Sequence, residues 1–342
     1  MLLAPRRIIV SRTDRLGDVV LTLPLFGLLR ERYPDAELVA LVRRYAHPIV
    51  AASRHVHRVV DWPAHDEATD ADRVTLLRDL DADTILHLFP RREVAAAARD
   101  AGIARRIGTA RRWFHWVTCT ERVNVSRKRS ALHEAQLNLR VAAPLVGDQE
   151  TSLAALVPHI GLTRTAPLEP SWAARLDRMR TIVLLQPLTG GTVPPWPLER
   201  WSALIAQLDP AEFQVWITGS ETEAETLRPW LDSLPPHVQD AAGQSLGELL
   251  SFTRSSHAFV GASTGPLHIA AGLGVHTIGL YPARETGLLG RWAPLGADTR
   301  VLMPDHAPAA EGPASLGIEG ISVAEVRSAL DQASRTRVRK PG

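Results

Sequence analysis

Short apolar runs rich in β-branched residues alternate along this chain with segments whose apolar positions recur at helical spacing. Ile8-Ile9-Val10 reads as a buried strand. Over residues 18–32, Val19, Leu23, Phe26 and Leu29 keep near-helical spacing and predict a helix. Residues 38–42, 56–60 and 84–88 predict three more strands, and 92–101 and 134–146 two more helices. The alternation then breaks at residues 161–172, where Gly161, Pro167 and Pro170 stand among mixed polar residues, the composition of a linker. It resumes with strands predicted at 181–185, 213–218, 257–260 and 275–280. Helices are predicted at 197–208, 221–231, 246–254, 266–273 and 321–333, and residues 303–316, rich in Pro and Ala, predict a surface loop.

Strand–helix alternation means parallel strands joined by crossovers, so the expected class is α/β with doubly wound sheets. The chain of 342 residues divides into residues 1–162, a linker at 163–176, and residues 177–336. Two such Rossmann-like domains are expected to leave a cleft between them. In open parallel sheets ligands sit beyond the carboxyl ends of the strands, where residues 11–18, 187–196 and 261–268 fall.

Composition narrows the setting. Cys119 is the only cysteine, which excludes an internal disulfide, suits a reducing compartment and reads as a buried structural thiol. The best apolar run, residues 19–29, contains Pro24 and Gly27 and falls short of the roughly 20 residues of a spanning helix. No secretory leader pattern is visible, so a cytoplasmic protein is expected. Charge is uneven. Residues 1–165 hold 25 basic and 19 acidic side chains, a net of +6, and residues 166–342 hold 14 and 18, a net of −4. Arginine supplies nearly all the positive charge, in clusters such as Arg111-Arg112 and Arg127-Lys128-Arg129. This is either solvated surface or a basic face for an acidic partner. No nucleic-acid recognition motif accompanies it.

Three segments could carry chemistry. After the strand at 257–260 comes Gly261-Ala262-Ser263-Thr264-Gly265-Pro266-Leu267-His268. Pro266 suits a first helical position and Ser263 or Thr264 could cap it, so this is either an ordinary helix start or an anion site. Pro187-Leu188-Thr189-Gly190-Gly191-Thr192 also follows a strand, and its glycines allow a phosphate to approach the backbone closely, although it is no Walker loop. Asp18, ending Ser11-Arg12-Thr13-Asp14-Arg15-Leu16-Gly17-Asp18, is either a capping carboxylate or a general base. Asp81-Ala82-Asp83 reads as a surface turn, and His55 and His57 have no evident third ligand, so no metal site is expected.

Taken together these segments resemble the bacterial heptosyltransferases of glycosyltransferase family 9, enzymes of lipopolysaccharide core assembly. Gly17-Asp18 with Thr22 and Pro24 is similar to the family's Gly-Asp-x-x-x-Thr-x-Pro start. Trp196-Pro197-Leu198-Glu199-Arg200-Trp201 resembles its Trp-Pro-x-x-x-Trp/Phe segment, and Gly219-Ser220-Glu221 its Gly-x-Glu. Ser263-Thr264-Gly265-Pro266-Leu267-His268-Ile269-Ala270-Ala271 resembles its Asp-Ser/Thr-Gly-Pro-x-His-x-Ala-Ala block.

The resemblance implies a GT-B fold and inverting, metal-independent transfer from a nucleotide diphosphate sugar, typically ADP-heptose, with no further cofactor. It implies that Asp18 deprotonates the acceptor hydroxyl. Thr189, Gly190, Gly191, Ser263, Thr264 and Gly265 would hold the donor, with Glu221 at the nucleoside and His268 on the donor-site helix. Arg12, Arg15 and Gly17 would meet acceptor or phosphate. The basic N-terminal half would take an acidic glycolipid or glycan, with peripheral contact at the inner face of the cytoplasmic membrane. Two positions depart from the pattern: Pro194 stands where a lysine is common, and Ser263 where an acid is. Arg12, Arg15 or Arg284 is then expected to reach the phosphates instead. A non-catalytic binding paralogue and a GT-B nucleotide-sugar epimerase remain the alternatives.

Overall fold

The computed structural model describes residues 4–148, 150–191, 194–283, 288–304 and 317–339. The chain forms two units, Met1–Arg164 and Thr165–Gly342. In the first, β1 (Arg7–Ser11), β2 (Glu37–Val42), β3 (Arg58–Asp61), β4 (Thr84–His87), β5 (Arg105–Thr109) and β6 (Glu121–Val123) make one sheet. Its order is β3-β2-β1-β4-β5-β6 and every pairing is parallel. Ile9, Val39, Leu41 and Ile85 form one face of its core, against the helices Asp70–Asp79 and Arg92–Asp100.

The second unit repeats the winding with β7 (Thr181–Gln186), β8 (Phe213–Gly219), β9 (Gln239–Ala242), β10 (Ala258–Ala262), β11 (His276–Leu280) and β12 (Thr299–Leu302). Its order is β12-β11-β10-β7-β8-β9, again all parallel. Each sheet therefore reverses its strand order once, between β1 and β4 and between β7 and β10. Such a switch point opens a crevice beyond the carboxyl ends of the two strands. Ser11 lies opposite His87 at the first, and Gln186 opposite Gly261 at the second.

Several elements differ from the sequence expectation. The helix expected over 18–32 is two, Leu16–Val20 and Leu23–Arg32. Pro24 lies in the first turn of the second, where its missing N–H cannot bond the carbonyl of Val20. The strand expected at 56–60 is shifted to β3. Strands β5, β6, β9 and β12 are unexpected; the last three are sheet-edge strands, and in all four polar and half-exposed residues interrupt the apolar run. The last helix runs over Val323–Arg339, beyond the predicted 321–333. Most of the loop expected at 303–316 lies outside the described residues. The expected linker is packed. The amides of Thr163 and Arg164 donate to Ala52 O. Leu168, Trp172 and Leu176 pack on the second core, with Trp172 against Trp216 and Phe252.

Candidate active site

In the first unit β1 ends on Ser11, and the chain turns through residues 12–15 into the short helix Leu16–Val20. Asp18 lies in its first turn but does not cap it; the N-cap position is Arg15, and no side chain bonds there. Asp18 Oδ1 instead meets Arg12 Nη2 at 2.9 Å. Arg12 is buried and also pairs with Asp14 at 2.7 Å and Glu134 at 2.8 Å, and donates to Asn138 Oδ1 at 3.0 Å. Burial works against its charge, and Asp14, Glu134 and Asp18 together outweigh burial, so the guanidinium is held protonated above its ordinary value.

The brace comes from the helix Glu134–Val146. Its Glu134 also pairs with Arg127 at 2.9 Å. Its Asn138 Nδ2 donates to Thr22 Oγ1 at 3.1 Å, and Thr22 Oγ1 donates to Asp18 O at 2.9 Å. The Thr22 of the opening motif thus anchors the backbone that carries Asp18. Burial pushes the Asp14 carboxyl up to about 6, with Arg12 opposing and Asp18 adding to the rise. Tyr45 donates its hydroxyl to Asp14 O. Arg15 is exposed at the mouth.

In the second unit the switch point brings two expected segments side by side. β7 leads into Thr189, which is buried, and then Gly190 and Gly191, both exposed. Their φ values are +58° and +77°, a region that disfavours any side chain. Across from them, β10 leads into Ser263, Thr264 and the helix Gly265–Gly272. Thr264 is the N-cap residue but makes no side-chain cap bond, and its buried Oγ1 has no partner among the described residues. With Pro266 in the first turn, this helix start turns the positive end of its dipole to the carboxyl edge of the sheet, and Thr264 gives its N–H groups no side-chain cap. An open pocket of 480 Å³ is lined by Leu188, Thr189, Gly190, Gly191, Pro194, Pro195 and Glu223.

The expected residues fare differently. Thr189, Gly190 and Gly191 come together with Ser263, Thr264, Gly265 and His268 at one strand edge. His268 is buried on the helix. Ser263 is buried just before the N-cap position, which Thr264 holds. Glu221 is exposed in the first turn of the helix Glu221–Leu231. The acid that reaches the glycine loop is Glu223, accepting from Gly190 N at 3.2 Å and from Ser220 N at 2.9 Å. Arg12, expected at acceptor or phosphate, is committed to three carboxylates and an amide. Gly17 lies within the short helix beside Asp18. Pro194 lines the pocket, and among the described residues no cation lines it. Arg284 lies outside the described residues.

Trp196 and Trp201 of the Trp-Pro motif are buried edge-to-face at 4.9 Å in the core, and Trp196 Nε1 donates to Ile321 O at 3.0 Å. That motif builds the unit and does not line the pocket. Sequence reasoning missed Glu134, Asn138, Tyr45 and Glu223. Only Glu223 carried a local signal, as the third helical residue of a Ser-x-x-Glu capping box. Cys119 is buried, and burial pushes its thiol up to about 11.

Comparison with known proteins places this geometry. The sequence model described as "Glycosyltransferase family 9 (heptosyltransferase)" matches residues 76–311, more than half of the chain. A protein of Haemophilus influenzae, named provisionally as a glycosyltransferase, is 24% identical over 302 residues, covering 84% of this chain and 86% of that one. The structure of a glycosyl transferase family 9 protein from Veillonella parvula superposes with a TM-score of 0.78 at 18% identity, covering 97% of both chains. That of Escherichia coli ADP-heptose lps heptosyltransferase II gives 0.75 at 18% identity, covering 97% of this chain and 99% of that one. The two six-stranded parallel sheets with flanking helices are the GT-B fold of those structures.

Proposed function

From the premise that the chain belongs to glycosyltransferase family 9, we propose that it moves a sugar, heptose from ADP-heptose, onto an acidic glycolipid or glycan of the lipopolysaccharide-core type. The observation that carries the reading is the second switch point. There an uncapped helix start, Gly265–Gly272, flanks a positive-φ glycine pair. Such a place suits a diphosphate, because backbone N–H groups and the helix dipole stabilise its charge without a cation. Thr189, Gly190, Gly191, Ser263, Thr264 and Gly265 line the donor site, with His268 beneath them and Glu223 holding the loop through the Gly190 amide. Residues 177–336 take the donor and residues 1–162 the acceptor.

In this mechanism Asp18 takes the proton of the attacking acceptor hydroxyl. The oxygen displaces the diphosphate in line with inversion at the sugar carbon, and the charge that develops on the departing phosphate falls on the helix start. Arg12 keeps Asp18 in place through their hydrogen bond. The net positive charge of the N-terminal half supports an acidic acceptor.

Thermal unfolding with ADP, ADP-heptose and uridine diphosphate sugars tests the donor. Binding stabilises by RT ln(1 + [L]/Kd), so ADP-heptose should raise the midpoint more than the uridine compounds. A midpoint moved by the uridine compounds alone overturns the donor assignment. Transfer of label from ADP-heptose to a lipopolysaccharide-core acceptor tests the reaction. Epimerised donor with no acceptor product would make the protein an epimerase, and binding without turnover a non-catalytic relative.

A further inference from the structure

Beyond the carboxyl end of β5 the chain runs Arg111-Arg112-Trp113-Phe114-His115-Trp116-Val117. Phe114 and His115 turn inward. His115 is fully buried with its Nδ1 bonded to Thr109 O, and Phe114 packs edge-on against it. Trp113, Trp116 and Val117 turn outward and are 68%, 62% and 63% exposed. Large apolar side chains grouped in water mark contact surfaces. The group is held firmly: Trp116 Nε1 donates to Ala110 O at 3.1 Å. Arg92 lies 5.4 Å over the Trp113 ring and Arg122 4.8 Å over Trp116.

The surroundings are strongly basic. Residues 101–133 hold eight basic side chains and one acidic, Glu121. Glu121 is taken by Arg105 at 2.5 Å. Arg92, Arg111, Arg112 and Arg122 are exposed, and among the described residues none of them pairs with a carboxylate.

We propose that this face docks on an anionic lipid bilayer. Indoles settle at the headgroup level, where an apolar ring and a wet edge are both satisfied. Arginines around them meet lipid phosphates and the negative surface potential. That charge complementarity selects the occupant. A nucleic acid is disfavoured because one face of each indole is already covered by a guanidinium, and Val117 offers nothing for a base to stack on. The inference deepens the proposed reading that the acceptor is an acidic glycolipid. β5 and β1 end at the same edge of one parallel sheet, so the docking face and Asp18 lie at the same edge of the unit.

The test is co-sedimentation of the full chain with vesicles of phosphatidylcholine alone and of phosphatidylcholine with phosphatidylglycerol. Binding is expected only to the second, and should weaken as salt screens the arginines. Each arginine removed, as Arg112→Gln or Arg122→Gln, should lower partitioning about fivefold. Trp113→Ser with Trp116→Ser should lower it further while the native fold, read by circular dichroism, is kept, because neither ring is part of the core. Equal binding to both vesicles, binding that survives these substitutions, or preference for a single-stranded oligonucleotide over anionic vesicles overturns the proposal. Vesicle binding without any transferase activity would sink the proposed function and leave the docking face standing.

Discussion

Arg12 Nη2 lies 2.9 Å from Asp18 Oδ1, and the same guanidinium holds Asp14 and Glu134. One cation therefore binds together the loop after β1 and a helix more than a hundred residues later in the chain. Removing it leaves three carboxylates facing one another, with only Arg127 still paired to Glu134. Breaking a buried ion pair from one side costs about 3–5 kcal/mol. Arg12→Ala should lose that much in urea denaturation. Glu134→Gln, which keeps the shape, should lose less. A loss for Arg12→Ala below about 1 kcal/mol would mean the cluster carries little.

Asp18→Asn keeps the size and the bond to Arg12 but cannot take a proton. A general base is worth roughly 10²–10⁴-fold. Turnover should fall by that factor while ADP-heptose affinity, read by titration calorimetry, stays nearly constant. Turnover within threefold of the parent, on the order of 0.6 kcal/mol of barrier, would remove Asp18 from the chemistry.

Asp14 gives the cluster its own pH dependence. Its folded value, raised to about 6 by burial, lies above the ordinary carboxylate value. The folded state thus holds this proton where the unfolded chain has lost it. The contribution is fully present below about pH 4 and is lost as pH rises to about 6. Asp14→Asn should therefore stabilise the protein at about pH 8, by a gain on the order of 1–3 kcal/mol, and change little at about pH 4. Equal effects at both would deny the raised value.

His87 works in the opposite sense. It is fully buried at the first switch point, and among the described residues neither ring nitrogen has a hydrogen-bond partner. Burial lowers its value to about 3, with His115 and Arg106 adding to the fall. The unfolded chain takes up this proton below about pH 6.5, so stability is full above that value and falls as pH drops toward 3. The slope should approach about 1.4 kcal/mol per pH unit. His87→Leu should flatten the acid limb of a denaturation-against-pH series. A limb of unchanged steepness would place the acid sensitivity elsewhere.

Transfer should survive chelation. In the proposed mechanism the helix start Gly265–Gly272, which no N-cap side chain bonds, meets the leaving phosphate. Activity should be equal with and without excess EDTA. Activity lost on chelation and restored by Mg²⁺ or Mn²⁺ would place that charge on a metal.

The strands of both sheet centres were legible in the sequence because a parallel strand is buried on both faces and reads as an unbroken apolar run. The three carboxyl-edge segments followed from that alternation, since a parallel sheet presents its ligand loops at one end. The family pattern was legible too, though part of it turned out to be packing: Trp196 and Trp201 are one aromatic contact in the core, and Thr22 holds backbone. What tertiary structure alone decided were the partners. Arg12 looks like a phosphate ligand in a linear reading, because nothing near it in the chain announces Glu134 and Asn138. Glu223 displaces Glu221 because helix geometry turns the third residue, not the first, back toward the Gly190 loop. The sheet-flank strands stayed hidden for the same reason. A strand exposed on one side needs few apolar residues, and its pairing is fixed by the neighbour it meets only on folding.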